Sequence, residues 1–538
     1  MNIKQAKWIK AGFSANEGCP IFKKDFSVGN DFISARLDIT AQGVYKSELN
    51  GKRIGNFILA PGFTSYRTRL QYQSYDVTEY LKEENVLTVT AGYGWYCGYL
   101  AWEGKRNHWG KEPAILAVLT VTYPDRVEII STDESWHTAH SAILNAEIYN
   151  GETVDARITP VFDEYAVFTG DCTDAVIPQE GEYVTEHERI KPIGIFKDNN
   201  GDTVVDFGQN LVGYVEFTTD AKDGDKVSYS HGEIIDKDGN FYNDNLRTAD
   251  QKISYICKKG KQTYKPNFTF MGFRYIRVEE APENIDFTAI VVHSDIRRTG
   301  AFECGHEKIN KLYSNIIWGQ KSNFLDIPTD CPQRDERLGW TGDAQVFIRT
   351  ASYNFDVEKF FLKWLNDLGT DQLKNGSIPH VIPDLLDNND GSSAWGDAVT
   401  ICPWQLYLTY GNRRVLRRFF ENMKRWVYFS QNSNRMHFGD WLAKDTHEAP
   451  TQEIVVPTPE DPLKGRSSQR LISDAFNLYS TELLIKTGEV LGEDMEDYKK
   501  IYEDRRNDFR KKYKYRTQTE HTLALYFNLA ENSEKTAE

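Results

Sequence analysis

Apolar and polar residues alternate along much of the first 300 positions of the chain. The clearest case is ISARLDITAQGVYKSELNGKRIGNFIL (33–59), in which Asn50-Gly51 separates two alternating runs and marks a two-residue hairpin turn. Comparable short runs follow, among them NVLTVTAGYGWY, PAILAVLTVTY, RVEIIST, GYVEFTTDA, DKVSYSHGEI and FRYIRVEEA. Closely spaced short strands of this kind predict β-sandwich domains.

Beyond residue 300 the apolar positions recur at the i, i+3, i+4, i+7 spacing of amphipathic helices. Three stretches keep this spacing, at 309–317, 415–426 and 495–509. Long segments rich in Gly, Pro, Asp and Trp separate the helices, at 323–342, 375–397 and 431–470. Helices joined by long loops predict a helical scaffold whose functional site lies at one end.

These patterns divide the chain into three predicted domains. A polar stretch without period, 169–192, separates two groups of strands, and the helical spacing begins after HSDIRRTGAFECG. We therefore predict a β-sandwich domain at 1–168, a second β-sandwich domain at 169–298 and a helical domain at 299–538. A chain of 538 residues is also too long for a single hydrophobic core.

Composition narrows the choice of ligand. The net charge of −15 argues against a nucleic-acid partner or an anionic membrane surface, and favours a neutral ligand. Aromatic residues make up 13% of the chain, a share that suits flat carbohydrate faces but is also typical of strand-rich proteins. The sequence carries no indication of the oligomeric state.

Cysteine usage and the N-terminal segment bear on location and cofactors. The seven cysteines lie far apart without a CxxC pair, which predicts reduced thiols. The first residues, MNIKQAKWIKAGFSANEG, have no apolar signal-peptide core, and the chain as given is expected in the cytoplasm. The 11 histidines form no HExxH motif and no EF-hand pattern is present, so no metal and no cofactor is predicted.

One segment concentrates charge without helical or strand periodicity: DIPTDCPQRDERLGWTGDAQVF, residues 326–347. Its charged residues between the prolines and the next helix are Asp330, Arg334, Asp335, Glu336, Arg337 and Asp343. Carboxylates there can accept hydrogen bonds from hydroxyls while the guanidiniums limit repulsion, and Asp343 is a candidate N-cap of the helix that follows. One carboxyl among several acids can also keep a proton near neutral pH, as a general acid of glycoside cleavage must. Charge alone fits a salt-bridged surface loop equally well.

Three further loops combine aspartate with tryptophan or histidine, within NGSIPHVIPD, SSAWGDAVTICPW and HFGDWLAKD. The residues concerned are His380, Asp384, Trp395, Asp397, Trp404, Asp440 and Trp441. Such loops are typical of sugar-binding walls. A tryptophan at helix spacing is often a core residue instead, so one of the three is expected to be structural.

The charged segment also resembles the signature of bacterial α-L-rhamnosidases, glycoside hydrolase family 78. Upstream strings resemble that family's β-domains in the same order: GVYKSELNGKRIGNFILAPGFTSYRTRLQYQSYDVTEYL, GYGWYCG, EIYNGETVDAR, DFGQNLVGYVEF, NLRTADQKISYICKKG and FTFMGFRYIRVE. The resemblance covers essentially the whole chain. It implies N-terminal β-sandwich domains followed by an (α/α)6 barrel, and inverting hydrolysis that releases terminal α-L-rhamnose from rhamnose-containing glycosides.

The same resemblance assigns roles to individual residues. Glu336 matches the general acid, and Asp330, Arg334 and Asp343 match residues that hold the hydroxyls of the sugar. Trp340, Trp395 and Trp441 match the apolar wall beside the methyl group of rhamnose, and Asp440 stands next to that wall. These eight residues are the candidate site.

One departure from the family concerns the second carboxylate that inverting hydrolysis needs, about 6.5–9.5 Å from the acid. In the family this base is a glutamate late in the barrel, and no segment of this chain matches its surroundings. The helical region 301–538 has 238 residues, enough for roughly eight helices instead of the twelve of an (α/α)6 barrel. We therefore expect the barrel to be incomplete in this chain and the base to lie beyond Glu538. If a base is present, Asp397, Asp440 and Glu448 are the candidates.

Two alternatives stay open on the sequence. An inverting phosphorylase would use phosphate as the nucleophile and require a basic phosphate pocket facing Glu336. A non-catalytic carbohydrate-binding protein would result if the truncation were natural.

Overall fold

Short strands dominate the first part of the chain, as the alternating pattern predicts. A computed structural model describes residues 2–14, 18–102, 104–386, 391–432 and 467–533. The strands from residue 9 to residue 178 are β1 Ile9–Lys10, β2 Pro20–Ser27, β3 Ser34–Gln42, β4 Val44–Leu49, β5 Lys52–Arg53, β6 Leu70–Asp76, β7 Glu84–Gly92, β8 Ala114–Thr122, β9 Val127–Ser131, β10 His137–His140, β11 Ile143–Glu147, β12 Gly151–Asp155, β13 Glu164–Tyr165, β14 Val167–Phe168 and β15 Val176–Pro178.

The later strands continue to residue 328. They are β16 Val184–Ile190, β17 Gly194–Lys197, β18 Thr203–Ala221, β19 Lys226–Gly232, β20 Ile234–Ile235, β21 Phe241–Tyr242, β22 Lys252–Ile256, β23 Gly260–Tyr264, β24 Met271–Glu280, β25 Ile285–Ser294, β26 Phe324–Leu325 and β27 Ile327–Pro328.

Three large sheets organise these strands. A seven-stranded sheet runs β14-β1-β8-β3-β6-β15 with β9 beside β8, and a six-stranded sheet runs β13-β10-β2-β7-β4-β5. A ten-stranded sheet runs β11-β12-β22-β19-β24-β18-β25-β16, with β17 and β23 also paired to β18. The first two sheets provide the pair that a β-sandwich requires.

The predicted hairpin at Asn50-Gly51 is confirmed. Leu49 of β4 pairs with Lys52 of β5, so the loop has two residues, and both have positive φ (54° and 75°). This is the backbone conformation of a type I′ turn, which matches the right-handed twist of the flanking strands.

The long strand β18 joins two parts of the third sheet. Its residues 203–213 pair with β24 and its residues 213–219 pair with β25. The exchange of partners falls at Gly213, where φ is +149° and an added Cβ would lie 1.9 Å from the carbonyl oxygen of Ile290. The ten-stranded sheet is therefore continuous through β18, which pairs with β24 before Gly213 and with β25 after it.

The sheets do not divide at residue 168, where we predicted a domain boundary. Strands β11 and β12 precede that residue but pair within the ten-stranded sheet, whereas β15 follows it and pairs with β6 of the seven-stranded sheet. The two β-rich regions thus exchange strands. The hydrophobic pattern along the chain does not predict this exchange, because it does not indicate which strands pair.

Helices dominate the second part of the chain. One short helix, α1 Gly94–Cys97, lies among the strands, and eight more are described after residue 300: α2 Glu307–Asn323, α3 Thr341–Asn354, α4 Glu358–Asp371, α5 Ala398–Tyr410, α6 Arg413–Asn432, α7 Gln469–Leu491, α8 Glu496–Lys512 and α9 Gln518–Tyr526. The three stretches with helical spacing lie in α2, α6 and α8, as predicted. None of the described helices is both long and apolar enough to cross a bilayer.

The chain forms two compact units. The first consists of Met1–Arg297 and Ala301–Leu338, and the second of Arg298–Gly300 and Gly339–Glu538. Helix α2 belongs to the first unit, where it packs against β18 and β25. Ile309 and Leu312 on α2 are exposed, whereas the apolar positions of α6 are buried in the core of the second unit.

A groove of about 660 Å³ with polar and apolar walls runs between α3, α5, α7 and α9 of the second unit. Trp404 is one of its lining residues, together with Tyr479 and Phe527. Trp404 therefore lies on helix α5, half-buried, and not in a loop.

Candidate functional site

Residues 330–338 of the charged segment form a closed loop in the first unit. The backbone N–H of Asp330 donates to the carbonyl of Leu338 at 3.0 Å, and the N–H of Leu338 donates to Oδ1 of Asp330 at 2.9 Å. These two hydrogen bonds join the ends of the loop, so Asp330 is both a structural residue and a candidate for binding.

Arg337 anchors this loop to the β-rich region and does not act as we predicted. Its side chain is 1% exposed, and its donors bind oxygens of Ile148, Gln251, Phe270, Gln333 and Arg334 at 2.7–3.3 Å. The expectation that Arg337 pairs with the carboxylates is thus corrected, because its guanidinium is used by backbone and amide oxygens. Burial lowers the pKa of Arg337 to about 10.

Arg334 does pair with carboxylates as predicted. Its Nη2 lies 3.4 Å from Oδ2 of Asp330, and its Nε lies 3.1 Å from Oε2 of Glu336. Glu336 is 9% exposed, and the hydroxyl of Tyr149 donates to its backbone carbonyl. The loop therefore holds a buried carboxyl group next to a guanidinium, with its backbone fixed by the β-rich region.

Arg247 completes this cluster and was missed by sequence reasoning. Its Nη2 lies 2.8 Å from Oε2 of Glu336, and its Nε lies 2.6 Å from Oδ1 of Asp335. Thr248 donates a further hydrogen bond to Oδ2 of Asp335. Arg247 has positive φ (60°) just after a short 3-10 helix, Asp244–Leu246. Eighty-eight residues separate it from Asp335, so no local spacing indicates the partnership.

Asp330 is the member of the cluster with a raised pKa. Burial, and next the negative charge of Glu336, raise the pKa of Asp330 to about 6, and these effects outweigh the hydrogen bonds it accepts. The sequence analysis expected one carboxyl of this segment to keep a proton near neutral pH. Asp330, beside Glu336, is a carboxyl whose pKa is raised in that direction.

The carboxyl groups of Asp330 and Glu336 and the thiol of Cys331 lie within 4.8 Å of one another. Three such side chains, two carboxyl groups and a thiol, are of the types that bind cations. Arg334 and Arg247 already bring positive charge to these carboxylates, which favours an ion-pair network over a metal ion at this position.

We expect Asp330 to make stability depend on pH. Its pKa rises from the ordinary 3.8 to about 6 on folding, so between these values the folded state keeps a proton that the unfolded chain loses. Stability from this group is therefore greatest below pH 4 and falls as pH rises to 6. In Asp330→Asn this fall should be absent, which melting temperatures of both proteins from pH 4 to 7 will show. A constant difference between the two curves would contradict the assignment.

The second unit brings together three of the other predicted residues, Trp340, His380 and Trp395. The segment of Trp340 pairs with Val381, and the N–H of Thr341 donates to the carbonyl of His380 at 2.9 Å. Gly342 faces the ring of Trp395 so closely that an added Cβ would lie 2.9 Å from it. The rings of His380 and Trp395 approach edge to face, with centroids 6.1 Å apart. Residues 339–342 thus contact residues 380–381 and Trp395, with Trp340 buried at 5% exposure and Trp395 half-buried.

Asp343 differs in position from our prediction. Helix α3 begins at Thr341 with Trp340 as N-cap, so Asp343 lies inside the first turn and is not the cap. A carboxylate there complements the positive end of the helix dipole. Asp343 is exposed, which suits a binding role.

Asp397, predicted both as a sugar-binding residue and as a possible base, is a core residue. It is 0% exposed and accepts hydrogen bonds from Trp426 Nε1 at 2.9 Å, the Ala394 N–H at 2.7 Å and Ser480. Burial raises its pKa. Its carboxyl group is used in helix packing and cannot meet a ligand. Asp440, Trp441 and Glu448 lie outside the described residues.

Family models match three consecutive parts of the chain. Residues 30–194 match the α-L-rhamnosidase N-terminal domain, 196–293 the bacterial α-L-rhamnosidase concanavalin-like domain, and 297–538 the bacterial α-L-rhamnosidase six-hairpin glycosidase domain. Curated α-L-rhamnosidases are similar over most of the chain. One from Formosa agariphila is 36% identical over 95% of this chain and 58% of its own length, and one from Streptomyces avermitilis is 35% identical over 92% and 49%.

Solved structures agree with these matches. The native α-L-rhamnosidase of Aspergillus terreus superimposes with a TM-score of 0.90 at 34% identity, over 99% of this chain and 65% of that one. The Streptomyces avermitilis α-L-rhamnosidase, complexed with L-rhamnose, gives 0.87 at 32% identity, over 97% and 52%. The chain spans roughly half to three-fifths of the length of its curated relatives.

The β-rich domains and the helical region after them define a multidomain protein with the domain order of the matched family models. The chain belongs to the bacterial α-L-rhamnosidase family, glycoside hydrolase family 78.

Proposed function

We propose that this protein hydrolyses glycosides that end in α-L-rhamnose, with Glu336 as the general acid. The observation that carries the proposal is the acid cluster: Glu336 is buried and joined to Arg334 and Arg247 in a loop whose sequence matches the family signature. The sugar bound in a rhamnosidase relative supports the choice of substrate.

In this proposal the loop residues have complementary tasks. Asp330, Arg334 and Asp343 hold the hydroxyls of rhamnose, because carboxylates accept and guanidiniums donate hydrogen bonds. Trp340, Trp395 and Trp441 provide an apolar wall for the methyl group on C5, which favours a dry surface. We further propose that the helical domain is organised as an (α/α)6 barrel.

The proposed reaction proceeds with inversion of the anomeric carbon. Glu336 transfers a proton to the glycosidic oxygen as the bond to the anomeric carbon breaks, while water attacks from the opposite face. Inversion requires a second carboxylate to take a proton from that water. Asp397 is excluded from this role because its carboxyl is buried among Trp426 and Ser480.

An assay of this chain, and of any longer form of the protein, on an aryl α-L-rhamnoside tests the proposal. Release of the phenol by a form that holds both carboxylates, with no release from aryl glucosides, galactosides or mannosides, is the expected result, and a form without the second carboxylate should be almost inactive. Proton NMR during the first turnovers should show β-L-rhamnose as the initial product. If no α-L-rhamnoside is cleaved and L-rhamnose does not bind, the proposed function is wrong.

Replacing Arg247 should impair the acid without unfolding the protein. Arg247→Met removes the ion pairs to Asp335 and Glu336 from a side chain that is 41% exposed. We expect kcat for a rhamnoside to fall about 10²-fold, since misplacing a reacting group costs that much. KM should change little because Arg247 acts through Glu336. Arg247→Lys should recover part of kcat. Unchanged kinetics in Arg247→Met would show that the acid is held without it.

Replacing Trp395 should weaken the discrimination of rhamnose from mannose. Trp395→Ala removes an indole that packs over Gly342, and the lost surface matters most for a sugar with a methyl group. We expect a loss on the order of 1–3 kcal/mol for the rhamnoside, and a smaller loss for the mannose analogue that carries a hydroxyl on C6. Inhibition constants of the two free sugars provide the measurement. Equal losses would place the methyl group elsewhere.

A further inference from the structure

The loop that carries Trp395 has an unusual backbone conformation one residue earlier. Ala394 is 7% exposed and has a φ of +72°, in the left-handed region that residues with a Cβ seldom adopt. Such a conformation persists only where the surrounding structure imposes it. The peptide after Ala394 leads directly into Trp395, so this conformation sets the direction in which the indole leaves the loop.

The carboxyl group of Asp397 holds this backbone in place. Oδ2 of Asp397 accepts a hydrogen bond from the N–H of Ala394 at 2.7 Å. Oδ1 accepts from Nε1 of Trp426 on α6 at 2.9 Å and from the hydroxyl of Ser480 on α7. The side chain of Asp397 is 0% exposed, and hydrogen bonds are stronger in such an interior than in water. Asp397 thus ties the N–H of the strained residue to two helices of the second unit.

Packing on the other side of Trp395 depends on the same carboxyl group. Gly396 lies against the ring of Trp426, since an added Cβ would be 2.2 Å from that ring. The indole of Trp426 is in turn held by Asp397. Both chain neighbours of Trp395 are therefore fixed through one side chain. The indole of Trp395 itself packs on Gly342, where an added Cβ would be 2.9 Å from the ring.

The contact between an indole and a methyl group is sensitive to small shifts of the ring. A gap of about 0.5–1 Å already forfeits about a quarter to a half of the dispersion attraction between two atoms. A tryptophan that forms a wall for a methyl group must therefore be held firmly by its own loop. A hydroxyl on C6 depends less on this contact, because it is stabilised by hydrogen bonds.

We propose that Asp397 is a positioning residue, which holds Trp395 against the methyl group of rhamnose and so sets the preference for rhamnose over mannose. The inference rests on the proposed function, because it takes Trp395 as part of the wall for that methyl group. The carboxyl group does not meet the sugar. Its effect passes through the backbone N–H of Ala394.

Asp397→Asn tests this inference with almost no change in side-chain shape. The asparagine keeps one oxygen for Trp426 and Ser480, and its NH2 group faces the N–H of Ala394, donor against donor. Calorimetric titration gives the dissociation constants of L-rhamnose and of L-mannose, which differ by the hydroxyl on C6. We expect the preference for L-rhamnose to fall about tenfold in Asp397→Asn, the lower end of what one methyl-sized contact provides.

Two further variants separate positioning from general stability. In the double variant Asp397→Asn with Ala394→Gly, glycine adopts positive φ without the hydrogen bond, so the preference should recover several-fold. Ser480→Ala is the matched control, because it removes a donor from the other oxygen of the same carboxyl group and leaves the bond to Ala394. It should keep the preference even where its melting temperature is lowered.

Ala394→Val provides the test if Asp397→Asn does not fold. It leaves Asp397 and its bonds to Trp426 and Ser480 in place, but a β-branched residue strongly disfavours positive φ. The backbone should therefore leave the left-handed region, and the preference for L-rhamnose should fall as in Asp397→Asn. An unchanged preference would contradict the inference.

Each other outcome overturns a defined claim. If Asp397→Asn keeps the preference, if Ala394→Gly does not restore it, or if Ser480→Ala lowers it equally, the inference is wrong and the proposed function stands. If Trp395→Ala keeps the preference, the methyl group lies elsewhere and the inference fails together with that part of the proposed function. If L-rhamnose does not bind, both fail.

Discussion

Glu336→Gln should lower kcat for a natural rhamnoside by about 10²–10⁴-fold, the usual contribution of a general acid. The amide keeps the size of the side chain but has no proton to give to the leaving oxygen. Aryl rhamnosides with acidic phenols should be affected much less, because their leaving groups depart without protonation. The ratio of kcat values on the two substrate types is the measurement.

A matched comparison separates Glu336 from its neighbour Asp330. Asp330→Asn removes the carboxyl whose pKa is raised to about 6, and it should affect both substrate types similarly because Asp330 binds the sugar in the proposal. If Asp330→Asn shows the dependence on leaving group and Glu336→Gln does not, the roles of the two residues are reversed.

Arg337→Met should destabilise the first unit by about 1–3 kcal/mol for each buried acceptor that is left without a donor. The carbonyl oxygen of Phe270 loses the donor it has at 2.7 Å, whereas that of Ile148 keeps the hydroxyl of Thr269. The change also removes the cation between the rings of Tyr149 and Phe270, whose centroids lie 4.8 and 4.9 Å from the guanidinium carbon. A lowered melting temperature and a lowered urea midpoint should both appear.

Arg334→Met is the control for this prediction, since Arg334 lies three residues away with a side chain that is 39% exposed. It should weaken sugar binding and change stability little. Equal stability losses in the two variants would contradict the distinction between an anchoring and a binding arginine.

Local pattern predicted elements of the fold that depend on near neighbours. The turn at Asn50-Gly51 follows from dipeptide preferences, and the burial of the apolar face of α6 follows from its spacing. The exchange of β11, β12 and β15 between sheets could not be predicted, because strand partners are chosen by non-local packing.

The candidate site shows the same division. The charged loop was identifiable because its residue types are unusual for either periodicity, and Arg334 pairs with Glu336 as expected. Arg247 and Tyr149 were missed because each reaches the loop from a turn at least 88 residues away in sequence. For Asp397, sequence could not separate a loop aspartate that meets solvent from one that satisfies a buried indole N–H.

The anchoring of the acid loop by Arg337 limits how this protein can be divided and recombined. The loop follows residue 299 in sequence, yet its guanidinium anchor binds oxygens of Ile148, Gln251 and Phe270. A helical domain expressed alone from residue 299 would carry Glu336 and lose the surface that shapes its loop. Chimeras between relatives should accordingly be joined after Leu338, so that the β-rich domains and the acid loop are inherited together as one exchangeable piece.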